Sequence, residues 1–312
     1  MSRIIKIAAA QSGPVPLSQS REDVVERLIE QMRSAKSQDC DLIVFTECVL
    51  TAFFPHWWIE DEDELDSYFE TQMPSPITQP LFDEAARLKI GFQLGYAELA
   101  FEDGNKKRFN SSVLVGDDGQ IIGKFRKVHL PGHRDHRPDN PFQNLEKRYF
   151  EFGDLGFPTW RAFGGVVGMC ICNGRRWSET YRALSLQGAE LITLGFNTPG
   201  HHPEFPHLDE LSGFHHLLCM QAGAYQNGAW VVAVSKAGEE EGVHQIGHTC
   251  IIAPSGKVVA ESKTLEDELV VHACDLDETI PYKEYIFNYE KNRRIEHYGI
   301  IASQTSAAPP SS

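Results

Sequence analysis

The sequence predicts one α/β domain whose two halves form similar layers packed face to face. The chain has 312 residues, which suffices for one large domain or two ordinary ones. Hydrophobic residues make up 41% and charged residues 23%, which excludes disordered, collagen-like and coiled-coil proteins for most of the chain. A helix–strand unit and a hairpin unit each occur twice without a flexible linker between them, which indicates one domain. We place this domain at residues 1–303 and predict a disordered tail over 304–312.

The first helix–strand unit begins at Ser20, which is predicted to cap a helix with Asp23 completing a capping box. The apolar residues of this helix fall on one face: Val24, Val25, Leu28, Ile29, Met32 and Ala35. The run 41–46 is continuously apolar after Asp41, as in a strand buried on both faces. Glu47 then stands at the C-terminal end of this strand.

The second unit repeats this order. Ser178 is predicted to cap a helix over 179–187 that Gly188 ends, and the strand 190–196 leads to Asn197. Two further segments, 111–124 and 249–261, both predict β-hairpins with glycine-containing turns. The repeated units therefore predict two similar halves.

The charge balance argues against nucleic-acid and membrane-surface partners. Lys and Arg number 29 against 44 Asp and Glu, so the net charge of −15 repels phosphate backbones and anionic lipids. Seven acids between Glu60 and Glu70 predict a solvated helix face or loop. The segment from Lys124 to Arg148 holds seven bases and three acids, so it is a candidate to receive an anion.

The apolar stretches and cysteines predict a reduced, cytoplasmic protein. The longest apolar stretches, 163–172 and 228–234, are far shorter than the roughly 20 residues needed to span a bilayer. The N-terminus has no recognisable secretory signal. Seven scattered cysteines form neither a disulfide scaffold nor a CxxC metal motif.

Several common site motifs are absent from the sequence. The segment 119–124 has one residue too few between its glycines for a phosphate-binding Walker loop, and neither GxGxxG nor GxSxG occurs. Histidines cluster at 129–136 and at 201–207, but neither cluster forms HExxH, so we predict no metal.

The most informative segment is 166–179, which predicts a buried strand, a sharp Asn-Gly turn and a helix start. Cys172 would then lie at a strand-to-helix elbow, where its thiol can project from the sheet as a nucleophile. The alternative is a buried structural thiol, which is the commoner role of a single cysteine.

Four motifs in order along the chain resemble the Glu, Lys, second Glu and Cys motifs of the nitrilase superfamily. They are Phe45-Thr-Glu47, Arg126-Lys127-Val-His-Leu, Leu145-Glu146-Lys-Arg-Tyr-Phe and Met169-Cys-Ile-Cys172-Asn. Five others are similar to those of N-carbamoyl-D-amino-acid amidohydrolases (D-carbamoylases): Phe53-Phe54-Pro, His129-Leu-Pro-Gly-His, Asn173-Gly-Arg-Arg-Trp, Gly195-Phe-Asn-Thr-Pro and Phe214-His-His-Leu-Leu.

This resemblance implies an α-β-β-α sandwich that assembles into homodimers or homotetramers and needs no cofactor. It implies that Glu47 is a general base, Lys127 an oxyanion stabiliser, Cys172 the nucleophile and Glu146 a supporting carboxylate. Arg175 and Arg176 follow the nucleophile closely in the sequence, and at least one of them is expected to hold a substrate carboxylate. The expected substrate contacts are Arg175, Arg176, His129, Asn173, Asn197 and Thr198.

The implied reaction is hydrolysis of N-carbamoyl-D-amino acids to the amino acid, carbon dioxide and ammonia. The alternatives are another amidase or ureido hydrolase of the superfamily that acts on a carboxylate-bearing substrate, a catalytically silent interaction protein on the same fold, and a zinc hydrolase. Gly174 departs from the D-carbamoylase pattern, which has an acidic residue at this position. Either an absent acid leaves the arginines less braced, or the turn requires a positive φ at Gly174.

Overall fold

The computed structural model describes residues 2–309, and its regular elements are 14 strands and eight α-helices within that range. The strands are β1 Ile4–Gln11, β2 Leu42–Val44, β3 Gly91–Glu102, β4 Asn105–Val115, β5 Ile121–Arg126, β6 Thr159–Ala162, β7 Gly165–Ile171, β8 Leu191–Phe196, β9 Trp230–Ser235, β10 Ala237–Glu240, β11 Val243–Ile246, β12 Cys250–Ile252, β13 Val258–Glu261 and β14 Glu268–Asp275. The α-helices are α1 Arg21–Ser37, α2 Glu62–Asp66, α3 Gln79–Leu88, α4 Glu146–Tyr149, α5 Ser178–Leu186, α6 Ser212–Asn227, α7 Tyr289–Asn292 and α8 Gly299–Ser303.

Two six-stranded sheets with matching strand order form the centre of the protein. The first has the order β14-β1-β2-β3-β4-β5 and the second the order β6-β7-β8-β9-β12-β13. In each sheet three central strands are parallel, an antiparallel strand flanks one side, and an antiparallel hairpin extends the other. The two halves predicted from the repeated units are therefore confirmed.

Helices cover the outer face of each sheet. Buried side chains of α1 and α3, including Leu28 and Phe82, pack on the first sheet. Tyr181 of α5 and Met220 of α6 pack on the second sheet, whose inner face shares a core with Ile7 and other residues of the first. The layers are thus α-β-β-α, as predicted.

The first helix–strand unit follows the prediction with a shorter strand. Ser20 Oγ accepts a hydrogen bond from Asp23 N, and the capping box is complete. The strand predicted over 41–46 covers only 42–44, because the chain begins to turn toward Glu47. Cys48, directly after Glu47, has a φ of 45°.

In the second unit, the prediction that Ser178 caps the helix is wrong. A 3₁₀ helix over Cys172–Arg176 runs into α5, so Trp177 occupies the N-cap position and Ser178 is already helical. Gly188, with a φ of 90°, follows the last turn as predicted. Both predicted hairpins are present, as β4–β5 and β12–β13.

The charged segments are largely paired within the protein. The acidic run forms α2, whose carboxylates bind Lys106 and Arg108. In the basic segment, Arg126 is almost completely buried and binds Glu98 and Asp154. The basic segment therefore does not present a free anion-binding surface at Arg126.

None of the helices in the described residues is long and apolar enough to cross a bilayer. Of the predicted tail, residues 304–309 lie exposed without helix or strand, and residues 310–312 fall outside the described range.

Candidate active site

A cavity of about 470 Å³ opens where the central parallel strands of the two sheets end. Seven of the ten predicted site residues line it: Glu146, Cys172, Asn173, Arg175, Arg176, Asn197 and Thr198. Glu47 and Lys127 do not line the cavity themselves. Lys127 donates to Glu146, and Glu47 accepts from Asn197, and both of these partners line the cavity. His129 lies outside the lining.

Glu47 is held between the two sheets by close backbone contacts. A Cβ on Gly95 would lie 2.5 Å from the Thr46 carbonyl oxygen, and one on Gly195 would clash with the backbone nitrogen of Glu47. Only glycine allows this approach at either position. The Asn197 backbone N–H donates to Glu47 Oε2 over 2.9 Å, so the carboxylate of one half is fixed by the other half.

Lys127 lies between two buried carboxylates. Its Nζ donates to Glu47 Oε1 over 2.6 Å and to Glu146 Oε2 over 2.5 Å, and all three side chains are almost completely buried. Burial by itself lowers the pKa of Lys127, but its interactions with the Cys172 sulfur and with the carboxyl groups of Glu146 and Glu47 raise that pKa above its ordinary value. The ammonium therefore stays charged.

Glu146 and Glu47 share a second partner that the sequence did not reveal. Asn110 Nδ2 donates to Glu47 Oε1 over 2.8 Å and lies 3.5 Å from Glu146 Oε2. The β4–β5 hairpin could have indicated this partner from the sequence. Its register places Asn110 opposite Lys127, whose backbone N–H donates to the Asn110 carbonyl. Burial, opposed by Lys127, raises the pKa of Glu146 to about 7.

Cys172 lies at the predicted elbow, directly after β7, and its side chain is buried with 5% exposed. Its φ of 42° is in the left-handed region, a conformation that costs a non-glycine residue about 1–3 kcal/mol. The thiol donates to the Asn197 carbonyl over 3.5 Å, and Sγ and one oxygen each of Glu47 and Glu146 lie within 4.8 Å of one another.

The environment of Cys172 favours a neutral thiol at rest. Burial and Glu47 raise its pKa above the ordinary value, and Lys127 and Arg175 oppose that shift. A neutral thiol is a poor nucleophile, so attack requires a base that removes the proton as the sulfur moves. The nearby carboxylate of Glu47 is placed for that task.

The donor set fits an ammonium better than a metal ion. Glu47, Glu146 and Cys172 form the one cluster of three metal-ligating groups found among residues 2–309. Lys127 Nζ already bonds to both carboxylates, so a cation of the protein occupies the position between them. The absence of a metal or cofactor stays a prediction.

The two adjacent arginines have different surroundings. Arg175 is completely buried and donates to the Cys172 carbonyl and Thr198 Oγ1, each over 2.9 Å. Arg176 is exposed at the cavity wall. Within residues 2–309, neither guanidinium forms a salt bridge, so both positive charges lack a carboxylate partner from the chain.

The remaining predicted contacts lie at different distances from the cavity. The Asn173 amide donates to the His129 carbonyl over 3.3 Å, and both Asn173 and Thr198 face the cavity. The His129 ring stacks on Trp177 at 4.8 Å between centroids. His129 therefore supports the loop beside the elbow, and its contact with substrate stays a prediction.

Loops around the mouth contribute residues that the sequence did not mark. Phe53, His56 and Phe142 form an aromatic wall, and the His56 Nδ1 atom is buried without a hydrogen-bond partner among residues 2–309. Arg137 and Glu204 form an ion pair between two loops at the mouth. Changes in these side chains at the mouth would alter the shape of the pocket and leave the buried charged groups Glu47, Lys127 and Glu146 in place.

The expectation that Gly174 needs a positive φ is wrong, because Gly174 is absent from the left-handed residues and Cys172 takes that conformation instead. A Cβ at Gly174 would lie 3.6 Å from Cys170 Cβ, an ordinary contact. We expect Gly174→Asp to lower KM for carboxylate substrates, because an acidic side chain at this position would brace the adjacent arginines. Tm should not fall, because a glycine replaced without strain stabilises by about 0.4–1 kcal/mol. Gly174→Ala is the matched control and should change Tm alone. A lower Tm with unchanged KM for the Asp variant contradicts bracing.

The raised pKa of Glu146 makes its contribution to stability depend on pH. The folded state binds this proton more tightly than the unfolded chain, so the contribution is complete below pH 4.5 and is lost as pH rises through about 7. Glu146→Gln removes the titration. We expect the Tm of the wild type minus that of Glu146→Gln to fall over this range in thermal unfolding. If this difference in Tm stays constant or rises with pH, the raised pKa of Glu146 is contradicted.

Comparison with known proteins gives one family match. A family profile described as "Carbon-nitrogen hydrolase" matches residues 6–284. The N-carbamoylputrescine amidase of Solanum lycopersicum is 26% identical over 316 residues, covering 99% of this chain and 98% of the relative. A citrullinase of Francisella tularensis is 28% identical over 260 residues, covering 81% and 85%.

A solved structure shares the whole fold. The crystal structure of a carbon-nitrogen hydrolase from Helicobacter pylori G27 superposes with a TM-score of 0.81 at 19% identity, covering 97% of this chain and 99% of that one. At this identity the similarity concerns the fold.

Proposed function

The chain belongs to the carbon-nitrogen hydrolase family, as its resemblance to the nitrilase superfamily predicts, and we propose that it hydrolyses N-carbamoyl-D-amino acids. The products are the D-amino acid, carbon dioxide and ammonia. A carbamoyl substrate agrees with relatives named as an N-carbamoylputrescine amidase and a citrullinase. The D configuration rests on the motifs similar to D-carbamoylases.

The observation that carries the choice of an amino-acid substrate is the unpaired arginine pair. Arg175 and Arg176 line the cavity beside Cys172, and neither forms a salt bridge within residues 2–309. Both positive charges face the same cavity without a carboxylate partner from residues 2–309, so they favour a carboxylate that enters the cavity. Arg176, which has no hydrogen bond within the same residues, is our choice to hold it in a bidentate pair.

The proposed first step joins the Cys172 sulfur to the ureido carbonyl carbon. Glu47 takes the thiol proton as the carbon–sulfur bond forms, and Lys127 stabilises the negative charge that develops on the carbonyl oxygen. Glu47 then passes the proton to the departing nitrogen, the carbon–nitrogen bond breaks, and ammonia leaves. An S-carbamoyl intermediate that carries the amino acid remains on Cys172.

In the second step the same carboxylate activates a water molecule. Water attacks the carbonyl carbon, the carbon–sulfur bond breaks, and the sulfur recovers its proton from Glu47. The released carbamic acid loses carbon dioxide without further help from the protein. Glu146 keeps Lys127 in place through both steps and faces the cavity, where it can contact the substrate nitrogen.

An ammonia-release assay tests the substrate class. The panel contains paired D- and L-N-carbamoyl amino acids, N-carbamoylputrescine, citrulline, plain amides and nitriles. We expect the highest kcat/KM for N-carbamoyl-D-amino acids. Preference for N-carbamoylputrescine, which has no carboxylate, or for citrulline, whose ureido group is remote from its carboxylate, would identify the second candidate, a distal ureido hydrolase.

Replacement of the proposed carboxylate holder should have a selective effect. Bound substrate would cover Arg176 at the cavity wall, and a desolvated charge-assisted contact is worth about 2–5 kcal/mol, so Arg176→Ala should lower kcat/KM for an N-carbamoyl amino acid by about 30-fold or more. The corresponding substrate amide, which has no carboxylate, provides the control. It should be a poor substrate of the wild type and lose little more in Arg176→Ala. Equal losses for the acid and its amide would refute the contact.

We further propose that the protein is a cytoplasmic homodimer or homotetramer. α6 exposes Phe214, Leu218 and Tyr225, three large apolar side chains that pairing with a second copy would cover. Analytical ultracentrifugation of the full chain tests the assembly, and a monomer at all concentrations would exclude it. All seven cysteines are free, as expected in a reducing compartment.

A further inference from the structure

Arg175 is engaged mainly by the protein itself. Its guanidinium has five N–H donors, of which three bond to the Cys172 carbonyl, Thr198 Oγ1 and His216 Nδ1. One terminal nitrogen also lies 3.8 Å from Cys172 Sγ. This completely buried side chain therefore fixes the backbone of the elbow through its hydrogen bond to the Cys172 carbonyl.

His216 fixes the other end of this guanidinium. The ring of His216 is completely buried on α6, and its Nδ1 accepts from Arg175 Nε over 3.3 Å. Burial and the charge of Arg175 keep the pKa of His216 well below its ordinary value, so the ring is neutral. With Nδ1 accepting, Nε2 carries the proton and donates to the His248 carbonyl over 3.2 Å.

Phe196 completes the arrangement. The Arg175 guanidinium carbon lies 4.4 Å from the centroid of the Phe196 ring, and the His216 ring lies 4.6 Å from the same ring. The planar guanidinium is thus fixed by three hydrogen bonds and one aromatic face. Such a side chain has almost no freedom to rotate toward a ligand.

We propose that His216 is a positioning residue for the nucleophile, acting through Arg175 on the Cys172 carbonyl and thiol. This inference rests on the proposed role of Cys172. The left-handed φ of Cys172 needs support from its surroundings, and the Arg175 hydrogen bond to the Cys172 carbonyl supplies it.

Three variants test the proposal in the full chain. His216→Phe keeps an aromatic ring beside Phe196 but removes both nitrogens, and His216→Asn keeps an acceptor near the position of Nδ1. His297→Asn, at a histidine whose side chain is 76% exposed, is the matched control. The measurements are kcat, KM, Tm and the pH profile of Cys172 alkylation by iodoacetamide, followed by mass spectrometry of its peptide.

We expect His216→Phe to lower kcat by about 10- to 100-fold with KM within about twofold of the wild type, as for a misplaced reactive group. The midpoint of Cys172 alkylation should move to higher pH, because a displaced Arg175 no longer favours the thiolate. His216→Asn should recover most of both losses. Wild-type kcat and alkylation in His216→Phe, or equal losses in the Phe and Asn variants with an unmoved midpoint, would overturn the proposal.

A fourth variant keeps the test decisive if His216→Phe does not fold. His216→Leu removes the ring and both nitrogens with less bulk than phenylalanine and offers Arg175 no acceptor, so it must be slower than His216→Asn, and equal rates overturn the proposal. Alkylation needs no substrate. If the chain prefers plain amides to N-carbamoyl amino acids, the proposed substrate fails while the order of the His216 variants remains a valid test.

Discussion

Cys172→Ala is expected to lower kcat by about 10⁴-fold or more while the protein stays folded and still binds substrate, because the covalent route then has no nucleophile. Within residues 2–309, the Cys172 thiol is the one cysteine thiol that lies within 4.8 Å of oxygens from both buried carboxylates. Steady-state ammonia release measures the loss. Equilibrium dialysis with a labelled N-carbamoyl amino acid measures the binding that remains.

Cys170→Ala is the matched control for this loss. Cys170 lies two residues before Cys172 and is also buried, and burial is the chief cause that raises its pKa to about 12. We expect its removal to cost some stability and little activity. An acyl adduct on Cys170 in place of Cys172, or activity retained in Cys172→Ala, would refute the assignment of the nucleophile.

Glu47→Gln is expected to lower kcat by about 10²- to 10⁴-fold, the range for loss of a general base, with a small change in KM. The amide keeps the shape of the side chain and an acceptor for the Asn197 N–H, so the effect concerns proton transfer. Lys127→Met should cause a similar loss. The double variant should be scarcely slower than either single one, because both groups act on the same step.

Glu84→Gln serves as the control for Glu47→Gln. Glu84 is a buried glutamate on α3 that binds Arg33 of α1 and Arg87 of α3, away from the cavity. It should affect Tm without changing kcat. Multiplicative losses for Glu47→Gln and Lys127→Met would show that the two residues act on separate steps.

Local signals predicted the elements that depend on local geometry. The capping box at Ser20 and the apolar runs before Glu47 and Asn197 give the helix–strand units directly, because caps and burial patterns act within a few residues. The cap at Ser178 failed for the same reason. The 3₁₀ helix that precedes it is held by Arg175 through contacts that a cap signal does not contain.

Contacts between distant segments set the limit of prediction at the site. Asn110 meets Glu47 across 63 residues of sequence, and Arg175 meets His216 across 41. Neither Asn110 nor His216 belongs to a pattern that points to its partner. Glycine is the default residue for a positive φ, which favoured Gly174, but sheet packing placed that conformation on Cys172.

The close packing of Gly95 and Gly195 against the backbone around Glu47 has a consequence for laboratory evolution. A side chain at either glycine would push the sheets apart at the point where the two halves supply the proposed reacting groups. We expect libraries that vary Gly95 or Gly195 to contain almost no functional clones. Libraries restricted to the mouth loops that carry Arg137 and Glu204 should instead yield altered substrate range, since these residues touch none of the buried charges.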